Sequence, residues 1–91
     1  MSLGDELLIP EPAKRDPTSI EIMRVWIADD NQHFTLRGDI WDDPAAWGLL
    51  LADLARNLAT SYCQDAAIPA EEALARIKDA FTVELENPTD T

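Results

Sequence analysis

Two runs of turn-forming and helix-capping residues, Asp29-Asp30-Asn31 and Trp41-Asp42-Asp43-Pro44, limit what this chain can fold into more than any other feature. The first separates two stretches dense in β-branched and aromatic residues, and the second stands just before a long stretch of helical periodicity. Together they impose a β-hairpin followed by helices. The expected fold class is α+β: an antiparallel β-hairpin packed on two α-helices, a small two-layer domain in which the apolar face of the hairpin is covered. Residues 1–19 read as an extended N-terminal arm, 20–86 as the single domain and 87–91 as a C-terminal tail.

The arm carries Pro10, Pro12 and Pro17 and one short apolar group, Leu7-Leu8-Ile9, so no regular element is expected there. Docking of Leu7-Leu8-Ile9 on the chain's own domain is the expectation, with docking on another chain as the alternative.

Strands are expected over 20–28 and 34–41. If Asp30-Asn31 form the two-residue loop, Ile27 faces Phe34, Val25 faces Leu36, Met23 faces Gly38 and Glu21 faces Ile40. Side chains alternate along a strand, so Met23, Val25, Ile27, Phe34, Leu36 and Ile40 share a core face. Ile22, Arg24, Trp26, His33, Thr35 and Arg37 share the other.

Asp43 as N-cap and Pro44 at the first helical position open the first helix. Its core stripe is Trp47, Leu50, Leu51, Leu54, Leu58 and Tyr62, with Asp53, Arg56, Asn57, Thr60 and Gln64 on the other side. Pro69, Glu71 and Glu72 open a second helix whose buried stripe is Leu74, Ile77 and Phe81, with Glu72 and Arg76 paired outside. The segment Phe81-Thr82-Val83-Glu84-Leu85 also alternates like a strand. Helix through about Glu84 is favoured, with a third strand as the alternative.

Composition narrows the function classes. A 91-residue chain with 46% apolar residues and three Trp has the material for a core, but at this size only a little over ~60% of the unfolded surface is buried. Self-association is the natural remedy. A formal charge of -11 with seven Lys and Arg opposes binding to a phosphate backbone, so no nucleic-acid partner is expected. No apolar run approaches the roughly 20 residues of a spanning helix, so no membrane partner is expected. The N-terminal residues lack a signal-peptide pattern and Cys63 is the only cysteine. A reducing cytoplasm is the expected setting.

The chemistry-bearing residues are sparse. His33 stands alone, with no nucleophile or orienting carboxylate specified, and reads as a surface or hydrogen-bonded histidine. Cys63 has neither a resolving cysteine nor a partnered histidine and reads as a free thiol. The aspartate groups at 29–31 and 39–43 lack the spaced ligands of a calcium loop and are accounted for by turns and capping. No catalytic residue, metal or cofactor is expected. Two surfaces stand out instead. Arg24, Trp26, Thr35, Arg37 and, beside the turn, His33 form a basic and aromatic face suited to a carboxylate, a phosphate or an acidic segment. The plainer reading is that the chain's own acidic arm, Asp5-Glu6 or Glu11, covers it. The start of the first helix, Ala45 to Ala52, is apolar all round, and Gly48 and Ala52 one turn apart permit close backbone approach. Trp41, Gly48, Leu49 and Ala52 are therefore candidates for a homodimer interface, with coverage by the N-terminal arm as the competing reading.

At residues 23–29, 39–48 and 51–56, and especially in Trp41-Asp42-Asp43-Pro44-Ala45-Ala46-Trp47-Gly48, the chain resembles a family of small uncharacterised bacterial proteins, a domain of unknown function. The resemblance covers roughly residues 6–62 and implies no activity, cofactor or catalytic residue. The residues themselves point to a small acidic cytoplasmic protein that acts as a non-enzymatic homodimeric module contacting an unknown protein partner. The alternative is a small-molecule binding protein that holds an anion against Arg24 and Arg37, with Trp26 as an apolar wall.

Overall fold

A computed structural model describes residues 5–89. The expectations for the first four residues and for the last two of the C-terminal tail lie outside the described residues. The elements are α1 (Glu11–Arg15), β1 (Met23–Ala28), β2 (Asn31–Leu36), α2 (Ala45–Ala66) and α3 (Ala70–Glu86). The class is α+β, a two-stranded antiparallel hairpin with helices. The chain divides into two compact units, one ending at Asp42 and one beginning at Asp43, so the boundary falls inside the second capping run. Among the described residues no helix is long and apolar enough to cross a membrane.

The arm is not wholly extended, because α1 interrupts it. Proline breaks a helix only where its N–H is needed, and here Pro10 and Pro12 stand at the start, where it is not. The Pro10 carbonyl accepts from Ala13 N at 3.0 Å and Lys14 N at 3.2 Å. Glu11 lies in the first turn and Lys14 and Arg15 in the last, as the helix dipole favours. Pro17 stops the helix by forcing Asp16 out of the α region, to φ -90 and ψ 109. The Asp16 carboxylate then accepts from Thr18 N at 2.9 Å and Thr18 Oγ1 at 2.7 Å. These two bonds, side chain first, hold Asp16 below the usual carboxylate range.

In the hairpin Val25 faces Phe34, Met23 faces Leu36, Trp26 faces His33 and Arg24 faces Thr35. The register differs by two residues from the expected one because the loop is Asp29-Asp30 and not Asp30-Asn31. Asp29 and Asp30 have φ of 52 and 62, the left-handed pair that a tight hairpin turn requires. Putting both aspartates in the loop keeps the Asp29 carboxylate out of the ladder and leaves the neutral Asn31 to pair with Ala28. A shift of two preserves the faces, since side chains alternate with period two. β2 ends at Leu36, so Ile40 and Trp41 lie beyond the strand that was expected to hold them, and Gly38 and Asp39 form a turn. One further bond, Arg37 N to Ile22 O at 2.8 Å, extends the pairing.

α2 begins as the capping residues dictate. Pro44 already has helical φ and ψ, and the Asp43 carboxylate accepts from Ala45 N at 2.9 Å. The helix ends at Ala67, left-handed at φ 56, whose N–H donates to the Tyr62 carbonyl. Pro69 opens α3, with Glu71 and Glu72 in its first turn and Arg76 on Glu72 at 2.9 Å. α3 runs through Phe81 to Leu85 without a break, so this segment is helix. Beyond it Thr89 donates its N–H and its hydroxyl to the Glu84 carboxylate. Those bonds, the backbone one first, hold Glu84 below its ordinary range.

α2 and α3 pack against each other, but on α2 not through the stripe that hydrophobicity predicts. The buried residues are Ala59 on α2 and Ala73 on α3, with Ala55, Ala70, Leu74 and Ile77 half-buried. The expected core stripe of α2 is corrected: Leu51, Leu54, Leu58 and Tyr62 are exposed, and only Trp47 and Leu50 are half-buried. Phe81, expected inside, is exposed as well. Small side chains let two helix backbones approach closely, and a two-helix pair has no third element of its own to cover the leucines. Replacing Ala59 with Leu forces bulk into this seam. The expected outcome for Ala59→Leu is a loss of about 1–3 kcal/mol in stability, read from the urea unfolding midpoint.

Candidate functional site

The basic face of the hairpin is assembled by strand alternation. Arg24 pairs with Thr35 across the ladder, Trp26 pairs with His33, and Arg37 follows one pleat further along, so all five predicted residues share one face. The register sets the two arginines diagonally rather than opposite each other, which relieves the repulsion that a directly facing pair would carry.

Arg24 is held by two carboxylates. Its Nε meets Glu21 Oε1 at 2.8 Å and its Nη1 meets Glu6 Oε2 at 2.8 Å. The hydrogen bond and charge of Glu21, then the charge of Glu6, raise the guanidinium pKa further above its ordinary value. Glu6 comes from the acidic arm, whereas Glu11 pairs with Lys14 at 3.5 Å on α1. Glu21 is the partner the sequence reading missed; its only signal is its place three residues before Arg24. Arg37 Nε donates to the Glu21 carbonyl at 3.1 Å, and among the described residues the Arg37 guanidinium forms no ion pair with a carboxylate. A shallow groove runs past these groups, lined by Glu21, Met23, Arg24, Thr35, Arg37 and Asp39. His33 Nε2 lies 2.9 Å from the Ala28 carbonyl, which orients the ring against the neighbouring strand β1.

The opposite face holds Met23, Val25, Ile27, Gln32, Phe34 and Leu36 and carries no charge. It was expected to be a core face. Met23 is half-buried, whereas Val25, Ile27, Phe34 and Leu36 are exposed, Ile27 at 80%. A two-stranded sheet cannot cover its own face, and the arm, tied to Arg24, does not cover it either. Leu7-Leu8-Ile9, expected to dock on the chain itself, stands in solvent, with Leu7 94% exposed.

The candidate interface residues fall in both units. Trp41 lies at the end of the first and is partly exposed, with an interaction of its own. Gly48, Leu49 and Ala52 lie on α2, where Leu49 is 72% exposed and a Cβ added at Gly48 would meet nothing within 4 Å. The close approach that Gly48 permits is not used within the chain. Cys63 is exposed. Among the described residues no group of three His, Cys, Asp or Glu side chains is placed to hold a metal ion. Asp29 and Asp30 serve the turn and Asp43 the helix start.

Comparison with known proteins adds a family and a structural relative. The family model described as "Domain of unknown function (DUF5076)" matches residues 6–89. A solved structure from the photosynthetic bacterium Rhodopseudomonas palustrus CGA009, described provisionally as a pyruvate dehydrogenase, is similar at 33% identity. The likeness covers 100% of this chain and 93% of that one, with a TM-score of 0.79. No curated protein matches.

The Glu6 contact is the one ion pair that ties the arm to the hairpin among the described residues. Glu6→Gln removes this tie and is expected to change global stability little, as for other exposed pairs. It should also speed tryptic cleavage at Lys14 and Arg15, read by mass spectrometry of limited digests.

Proposed function

Because the chain belongs to this family of unknown function, we propose a role read from its own surfaces: a non-enzymatic module that works by association, as a homodimer. The observation that supports this is the uncharged apolar surface left open on both units, the Val25 to Leu36 face of the hairpin and the leucine stripe of α2. Exposed contiguous apolar side chains of this kind are characteristic of interaction surfaces. Arg24, Trp26, Arg37, Trp41 and Leu49 are the residues proposed to meet a further protein partner, since aromatic and arginine side chains dominate interface energies. A reducing cytoplasm suits the role, because the exposed Cys63 thiol then stays reduced. Light scattering over a wide concentration range should give twice the 10.1 kDa chain mass. A mass of one chain at every concentration would sink the homodimer.

A second reading has one observation in its favour, the Arg37 guanidinium that lies beside the groove without a carboxylate partner among the described residues. It would hold a small anion there, with Thr35 flanking the ligand. The description of the Rhodopseudomonas protein makes pyruvate, a carboxylate, a natural probe. Binding to the native state must raise the melting temperature. The expected outcome is a rise with millimolar pyruvate or phosphate that Arg37→Ala abolishes; no shift with either anion removes the reading.

A further inference from the structure

We propose that α2 is the surface on which two copies of this chain meet, packed antiparallel about a two-fold axis beside Leu54. This rests on the self-association reading and adds the surface, the orientation and the residues in contact. Leu51, Leu54, Leu58 and Tyr62 recur at three- and four-residue spacing and lie along one side of the helix, each between 38% and 52% exposed. Trp47 and Leu50 continue the stripe toward the N-terminus. The alanine seam with α3 leaves this side open.

Charge disfavours a basic occupant. Between Ala45 and Tyr62 the only charged residues of α2 are Asp53 and Arg56, which lie away from the stripe and pair with each other at 3.2 Å. A basic partner seeking the chain's many carboxylates finds none along this face, whereas a second anionic copy can approach here without bringing carboxylates together.

The spacing of the stripe fits a second copy in one orientation. Leu51 and Leu58 stand at equal distances from the midpoint between residues 54 and 55, and so do Trp47 and Tyr62. Antiparallel two-fold packing therefore sets Leu51 of one copy against Leu58 of the other, Trp47 against Tyr62, and Leu54 beside its own counterpart. A two-fold interface must be self-complementary in this sense. The helix dipoles then run in opposite directions. Each chain contributes α2 with α3 behind it, so the assembly is a four-helix bundle.

Disulfide trapping in the full-length chain tests this, with Cys63→Ser as background. Leu54→Cys should oxidise to a covalent dimer about tenfold faster than Asp53→Cys, whose side chain lies off the stripe, because only the former brings two sulfurs within bonding distance. A mixture of separately prepared Leu51→Cys and Leu58→Cys chains should give a mixed covalent dimer. Circular dichroism confirms that each variant keeps its helices. A dimer by light scattering that crosslinks through Val25→Cys on the hairpin and not through Leu54→Cys would overturn this placement while leaving self-association intact. So would protection of the stripe by the chain's own arm, seen as an intrachain Leu8→Cys to Leu54→Cys crosslink. A monomer at every concentration would overturn both.

Discussion

The close approach of α2 and α3 through alanine is the constraint on which the rest of the helical unit depends. Ala59 and Ala73 are the buried residues, and a methyl group contributes little apolar area when it leaves water, about 0.8 kcal/mol per carbon against 1.5–3 kcal/mol for a whole leucine side chain. The seam therefore fixes the geometry of the pair without supplying much of its stability. The larger apolar groups, Leu51, Leu54, Leu58 and Tyr62, stand outside it. In proteins most of a helix's stability comes from packing an apolar face and not from propensity. What covers the leucines then decides how stable the pair is.

The hairpin repeats the same logic with different parts. Its turn is specified by two aspartates that tolerate left-handed backbone, and its ladder places every charged side chain of the strands on one face and the uncharged apolar set on the other. Arg24 on the charged face is satisfied internally, because Glu6 and Glu21 converge on it. The apolar face is not, since one pair of strands has nothing to fold back onto it. Electrostatics and hydrophobic burial thus reach different degrees of completion within the same unit, and the open apolar face leaves the larger reason to bind.

Several features were legible in the sequence because local chemistry decides them. Asp43 and Pro44 mark the start of α2, Pro69 with Glu71 and Glu72 marks α3, and the two faces of the hairpin follow from period-two alternation whichever loop is used. The register was not legible, because Asp-Asp and Asp-Asn satisfy the same turn and differ only in which residue is left to the ladder. The α1 helix was missed because three prolines read as breakers, although two of them occupy a helix start, where proline fits. The helix seam was missed for a deeper reason. Periodicity ranks faces by hydrophobicity and so selects the leucines, whereas close helix packing selects small residues, and the two criteria disagree here. The membership of the basic face follows from alternation alone, whereas Glu21 lies outside the strand and was passed over although it stands three residues before Arg24.

The charge of the chain bears on which contacts its open faces can make. Two bodies of formal charge -11 repel each other, and that repulsion acts over a range set by ionic strength, a Debye length of about 8 Å at physiological salt. Contact between apolar faces acts only when the surfaces touch. Self-association is therefore feasible only where the carboxylates lie off the contact surface, so that they stay hydrated at its rim. The leucine stripe of α2 meets that condition along four turns, with Asp53 and Arg56 neutralising each other elsewhere on the helix. The hairpin's apolar face meets it too, over a shorter span and next to two aspartates in the turn, Asp29 and Asp30. The longer face, with its charges further from the centre, is the one on which short-range burial best outweighs the repulsion of like-charged copies.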